Sequence, residues 1–309
     1  MPSPAQSCML CPMLASVSPP GDQSPIPSPV DYDSPKELGA LLERLGFAMQ
    51  KRFGQNFLVA GAQRRRILSL LEAEAGSRVW EVGPGAGAMT REALLAACLL
   101  STFEIDRGFA SFVRDAYGAV PGFELYEGDF VRTWPQAIAA SGKPARVFGN
   151  LPYNAAGAII AALIEGGVRP PLMVFTVQKE AAQRMAAHPS TKNYAAFTVL
   201  CQSAYTVKLA FDLPPGVFWP QPRVTSTVVV MRERKDPIPC AGRKDFTNFT
   251  RAAFSSRRKT LRNNLKSAGW TDEQSAAAAQ KAGLSMDSRA EALSPEELAA
   301  LFDCLPIRG

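Results

Sequence analysis

Histidine is almost missing from this chain: only His188 occurs in 309 residues, inside the loop-like run HPSTKN with no second ligand type beside it. A histidine-based metal centre therefore has no donor set, and no metal is expected. The cysteines at 8, 11, 98, 201, 240 and 304 are scattered. Only Cys8 and Cys11 have ligand-like spacing, and the second pair that a zinc site needs is missing. No apolar run approaches the roughly 18 residues that a membrane-crossing helix takes, so a soluble, cytoplasmic protein without a membrane partner is expected. Charge is scarce in residues 1–33, which are rich in Pro and Ser and lack the positive start of a secretory signal. They read as a disordered leader, or as the product of a start codon assigned too far upstream.

What is present suits a large domain followed by a smaller one. A net charge of +6 and a pI near 9.1 are compatible with a polyanionic partner. The first packed element is expected at SPKELGALLERLG. Ser34 caps it, Pro35 takes the first helical position, Glu37 closes a capping box and Gly46 ends it. From there β-rich runs alternate with helical stretches: RVWEV, LLSTFEI, FELYEG, ARVFGNL, PLMVFTV, TVKLAFDL and TSTVVVMRE. That alternation predicts an α/β domain over 34–234, with a mostly parallel seven-stranded sheet covered by helices on both faces. The last two runs lie close together around a Pro-rich loop, a spacing compatible with an antiparallel pair. Beyond the linker DPIPCAG only helical pattern remains, which predicts a small all-helical domain over 240–309. Its final helix opens with the capping box Ser294-Pro295-Glu296-Glu297.

Three features fall at successive strand ends. Gly83, Gly85 and Gly87 follow the first run, where glycine lets the backbone turn sharply and approach a ligand. Glu104 ends the second run about twenty residues later, where a carboxylate accepts hydrogen bonds from both hydroxyls of a ribose. Its neighbour Asp106 is the less favoured ribose ligand. Asp129 in EGDF ends the third run, placed to accept from an adenine amino group. Gly83-x-Gly85-x-x-Ala88 also fits a dinucleotide turn, so a nicotinamide dehydrogenase stays open. A pyrophosphate adds negative charge, whereas the sulfonium of S-adenosylmethionine is positive and tolerates an acidic pocket. The balance therefore favours the methyl donor.

The fourth run leads directly into Asn150-Leu151-Pro152-Tyr153. An aromatic amine is a poor nucleophile because its lone pair is delocalised into the ring. Acceptors aimed at its N–H groups draw the nitrogen towards tetrahedral geometry. Asn150 offers a side-chain oxygen, Leu151 a carbonyl, and Pro152 a stiff turn that holds both. Tyr153 offers a face on which a base stacks.

In order along the chain, KRFGQNFL, EVGPGAG, FEID, EGDF, GNLPYN, QKEAAQRM, VFWPQPRVTST, FSSRRKTLRNNL and SRAEALSPEEL resemble the bacterial small-subunit rRNA adenine dimethyltransferases, from about residue 34 to the end. The resemblance implies a Rossmann-like, S-adenosylmethionine-dependent methyltransferase that dimethylates two adjacent adenines in a hairpin loop near the 3′ end of 16S rRNA. It implies donor-binding positions Asn56, Leu58, Gly83, Gly85, Glu104, Asp129 and Asn150. It also implies that Phe218 sandwiches an extruded base against Tyr153. Lys51, Arg52 and Arg223 are expected to meet RNA. So are Arg258, Arg262 and Lys266, which with Arg251 would line one helical face unless Ser255 and Ser256 break it. A monomer is expected. Two departures are Ala156, where the family commonly has Ser or Thr, and Ala195, where glycine is common. The rivals are a resistance-type 23S rRNA methyltransferase, a ribosome-assembly factor without catalysis, and the dehydrogenase.

Overall fold

The structure, a computed structural model, describes residues 25–46 and 56–306. In chain order the strands are β1 (Phe57–Leu58), β2 (Arg78–Val82), β3 (Leu99–Glu104), β4 (Phe123–Glu127) and β5 (Arg146–Asn150), then β6 (Leu172–Gln178), β7 (Tyr205–Leu213), β8 (Phe218–Trp219) and β9 (Ser226–Glu233). The helices that cover and connect them are α1 (Pro35–Arg44), α2 (Gly61–Ser69), α3 (Ala88–Leu95), α4 (Arg107–Tyr117), α5 (Phe130–Ser141), α6 (Ala156–Glu165), α7 (Lys179–Met185) and α8 (Ala196–Ala204). After residue 234 follow α9 (Lys244–Ala253), α10 (Leu261–Ser267), α11 (Asp272–Ala282) and α12 (Pro295–Cys304).

Seven strands form one sheet in the order β4-β3-β2-β5-β6-β9-β7. Strands β2 to β6 are mutually parallel, and β9 runs antiparallel to both β6 and β7. The closely spaced last two runs do form an antiparallel pair, with an irregularity between Leu209 and Phe211. The strand order reverses direction between β2 and β5, so the helices that follow them leave on opposite sides and open a crevice at their carboxyl ends. Close approach there depends on Gly149, since a Cβ on it would lie 2.5 Å from the Val82 carbonyl oxygen.

Both faces of the sheet are covered because its central strands are apolar on both sides. Val79 and Trp80, adjacent on β2, are each buried but belong to different core clusters. Helix α4 shows how the cover is made. Asp106 caps it by accepting from Gly108 N and Phe109 N, and Phe109, Ala110, Val113 and Tyr117 form its buried stripe. The first cluster runs without interruption from the sheet into the C-terminal helices through Val199, Phe246, Phe249, Leu298 and Leu301. Arg257 strengthens that junction, binding the Glu291 carboxylate and the carbonyls of Thr191 and Lys192.

Three expectations change. Residues 25–33 are packed, with Val30 and Tyr32 buried against partners distant in the chain. Composition alone did not reveal that. Residues 1–24, including Cys8 and Cys11, lie outside the described residues. Ser34 does cap α1, but the Glu37 carboxylate accepts from Asp31 N at 2.8 Å instead of closing a box. Finally, Arg251, Arg258, Arg262 and Lys266 do not share one helical face, because the chain breaks between α9 and α10. Buried Asn264 pins that break, donating to the carbonyls of Ala253 (2.7 Å) and Ser256 (3.0 Å) and accepting from Ser255 Oγ (3.2 Å).

Candidate active site

A cleft of about 420 Å³ opens at the carboxyl ends of β2, β3 and β5. Asn56, Leu58, Gly83, Gly85, Glu104, Asp129, Asn150, Leu151, Pro152 and Tyr153 all line it, drawn from segments up to about a hundred residues apart. Among the described residues of its wall there are three acidic side chains, Glu81, Glu104 and Asp129, and no Lys, Arg or His.

The floor is the glycine turn. Gly83, Gly85 and Gly87 take φ of +75°, +54° and +86°, a conformation that side chains with a Cβ rarely adopt. Glu104 is 3% exposed, and its two oxygens accept from Gly85 N (3.0 Å) and Asp106 N (2.9 Å). Burial raises its pKa, and these N–H groups oppose the rise. Glu81 is deeper still. It accepts from Thr90 Oγ1 at 2.6 Å, and burial pushes it up to about 8, so it holds its proton at neutral pH. Asp129 is exposed and caps α5 by accepting from Val131 N at 3.0 Å.

At the corner after β5, the Asn150 Nδ2 group donates to the Asn56 carbonyl at 2.8 Å. Its Oδ1 is thereby the atom left for a ligand amine. The Pro152 carbonyl accepts from Ala155 N and Ala156 N, both at 3.0 Å, which closes the turn into α6. The half-buried Tyr153 shares a 2.8 Å hydrogen bond with Ser226 Oγ, and burial raises its pKa, keeping it a phenol. The two family departures are benign here. Ala156 is buried in the core, and Ala195 sits in extended backbone at φ −157°, where no glycine is required.

Phe218 requires a correction. It is 2% exposed, pairs with Leu58 across the β1–β8 ladder, packs into the second core cluster and does not line the cleft. A two-residue strand sends neighbouring side chains to opposite faces, and here Phe218 takes the inner one. Sequence reading missed three wall residues. Phe57 sits against Gly85, where a Cβ would come within 3.2 Å of its ring. Ile105 (57% exposed) and Val131 (42%) stand beside Glu104 and Asp129 as exposed aliphatic groups. The signal for Ile105 and Val131 was a large aliphatic residue one or two positions after the acidic side chains Glu104 and Asp129.

The basic residues lie elsewhere. Arg223 and Arg258 are exposed and take part in no ion pair among the described residues. Arg262 and Lys266 are paired with Asp287 (3.7 Å) and Asp272 (2.8 Å). None of the four lines the cleft. Lys51 and Arg52 lie outside the described residues.

The model of the ribosomal RNA adenine dimethylase family matches residues 46–306. The chain belongs to that family. Curated relatives include a ribosomal RNA small subunit methyltransferase A of Treponema denticola, 45% identical over 284 residues that cover 90% of this chain and 97% of the relative. The protein of the same name from Treponema pallidum subsp. pallidum is 40% identical over 282 residues, covering 89% and 97%. Among solved structures, a dimethyladenosine transferase from Plasmodium falciparum superposes with a TM-score of 0.66 at 22% identity, covering 78% of this chain and 94% of that one. The 23S rRNA methyltransferase ErmE superposes with a TM-score of 0.57 at 23% identity, covering 81% and 99%. At those identities the likeness speaks for the fold, which is that of Rossmann-like methyltransferases.

Family membership makes the chain an S-adenosylmethionine-dependent methyltransferase of ribosomal RNA adenines. The cleft fits that donor. Among the described residues of the wall, Glu104 and Asp129 with no cation beside them suit a positive sulfonium better than the pyrophosphate of a dinucleotide. Membership of the adenine dimethylase family is what ends the dehydrogenase reading. Among the described residues no helix is long and apolar enough to cross a membrane.

Proposed function

We propose that this enzyme dimethylates the N6 amines of two adjacent adenosines in the 3′-terminal hairpin loop of 16S rRNA, acting on the small ribosomal subunit or its precursor during assembly. The observation that carries the reading is the Asn150-Leu151-Pro152-Tyr153 corner at the mouth of a cleft whose described wall residues are acidic and not cationic. The choice of small-subunit RNA draws on the names of the relatives at 45% and 40% identity.

S-adenosylmethionine supplies an electrophilic methyl group on a cationic sulfur. Within the cleft, Glu104 holds the ribose hydroxyls, Gly83 and Gly85 let the backbone approach, and Asn56 and Leu58 close the near side. Asp129 would accept from the donor's adenine, beside which Ile105 and Val131 offer aliphatic surface. Asn150 Oδ1 and the Leu151 carbonyl accept the two N–H bonds of the target amine, which localises its lone pair and points it into the cleft. Tyr153 stacks on the target base, and its bond to Ser226 fixes the ring. After transfer the nitrogen is cationic and acidic, so its proton passes to water without a strong general base. Catalysis is chiefly positioning and electrostatics. Residues 34–234 act as the catalytic domain and 240–309 as the RNA-contacting one, with Arg258 and Arg223 free to meet phosphates. Lys51 and Arg52 are assigned to RNA on the family resemblance alone, and Arg262 and Lys266 join Arg223 and Arg258 by exchanging their carboxylate partners for phosphates.

Undermethylated small subunits and protein-free 23S rRNA, each incubated with enzyme and labelled donor, test the substrate. Label is expected in the small subunits, and label only in the 23S rRNA would overturn the assignment.

A further inference from the structure

The N-terminal segment ahead of residue 46 lies outside the stretch matched by the family model. It nevertheless touches the cleft from behind. The Tyr32 and Tyr117 hydroxyls meet at 2.6 Å in the interior, and Tyr117 Oη donates to the Gly87 carbonyl at 3.4 Å. Gly87 ends the glycine turn and precedes α3. A Cβ on it would lie 2.8 Å from the Tyr117 ring and 3.4 Å from the Tyr32 hydroxyl, so the two tyrosines fill the space behind the turn.

The same segment is tied to the other wall. Buried Arg64 donates to the carbonyls of Tyr32 (3.5 Å) and Leu58 (2.8 Å) and to Asp33 Oδ1 (2.7 Å). Val30, Tyr32, Leu38 and Leu41 cluster with Ala86 of the turn, and Phe57 packs against them. Ala86, Phe57 and Leu58 all line the cleft. One short segment thus spans both sides of the site without entering it.

We propose that Tyr32 is a positioning residue for donor binding: with Tyr117 it holds the Gly85–Gly87 turn at the distance from Phe57 and Leu58 that the donor requires. The inference rests on the reading of this cleft as the donor site. Removing the Tyr32 hydroxyl leaves the ring in place but frees the turn to shift, which costs donor affinity and spares the chemical step. Loss of one buried hydrogen bond corresponds to a change of about three- to ten-fold.

Calorimetry with S-adenosylmethionine on the full-length chain, with steady-state kinetics, tests this for Tyr32→Phe, Tyr117→Phe and the double variant. Tyr32→Phe is expected to raise the donor Kd and KM by about three- to ten-fold, with kcat and the KM for RNA unchanged. Tyr117→Phe, which also loses the bond to the Gly87 carbonyl, is expected to raise both at least as much, and the double variant to lose no more than Tyr117→Phe alone. A Tyr32→Phe enzyme with unchanged donor Kd and a lowered melting temperature would overturn the proposal and leave a purely structural contact. If the unaltered enzyme bound no donor, the assignment of the cleft itself would fall, and the inference with it.

Discussion

The Asn150 side-chain amide donates to the main-chain carbonyl of Asn56 at 2.8 Å, joining the end of β5 to the backbone just ahead of β1. This single bond decides which atom of Asn150 faces a ligand. Asn150→Ala is expected to lower kcat by about a thousandfold or more while RNA affinity stays within about twofold. Asn150→Asp keeps an acceptor oxygen but sets a carboxylate against the Asn56 carbonyl. Its rate is expected to fall between the two. Single-turnover transfer to undermethylated small subunits checks both, and normal turnover in Asn150→Ala would contradict the assigned role.

Glu104 must be ionised to accept from a ribose at full strength. Because burial lifts its pKa above the ordinary carboxylate value, donor affinity is expected to be highest above that raised pKa and to weaken as pH falls through it. Calorimetric titrations from neutral to acidic pH measure this. Glu104→Gln should bind at least about tenfold more weakly at neutral pH and lose most of the pH dependence.

Glu81 supplies a stability test with the opposite sense to a salt-bridged acid. Its pKa in the folded state, about 8, lies above the ordinary 4.5. Its contribution is therefore fully present below about pH 4.5 and is lost as pH rises towards 8, where the unfolded chain has released the proton and the folded one has not. Glu81→Gln removes that loss. In urea unfolding the variant should gain on the unaltered chain between pH 5 and pH 8, by on the order of 1–3 kcal/mol. An equal difference at both values would contradict a buried, protonated Glu81.

Phe218 and Tyr153 should separate stability from activity. Phe218→Ala leaves a cavity in the core, for which about 3–5 kcal/mol of unfolding free energy is the expected cost. Tyr153→Ala removes a half-buried ring at the cleft mouth and should slow transfer much more than it destabilises. Urea unfolding and initial rates on the same samples make the comparison. A Phe218→Ala enzyme of normal stability with abolished transfer would restore the stacking role implied by the family resemblance.

Much of this architecture was legible because periodicity carries it. All seven β-rich runs lie in the sheet, and Glu104 and Asn150 at strand ends converge with Asp129 just beyond β4 because parallel strands present their carboxyl ends together. The capping box at Ser294 and Glu297 was equally plain, being a matter of four adjacent residues. What escaped was contact between distant segments. The burial of Tyr32 depends on Tyr117, the turn between α9 and α10 on Asn264, and the inward face of Phe218 on its ladder with β1. No local pattern announces such pairs. Ile105 and Val131 were illegible for a different reason: an aliphatic residue beside a strand end reads as core, and only the fold leaves these two exposed.

Mass mapping of adenine methylation in 16S rRNA most directly tests the central claim, with small subunits from cells lacking this activity incubated with the enzyme or with Asn150→Ala. The enzyme should add two methyl groups to each of two adjacent adenines in the 3′-terminal hairpin, and the variant none. Methylation at another nucleotide, or equal methylation by the variant, would contradict the account.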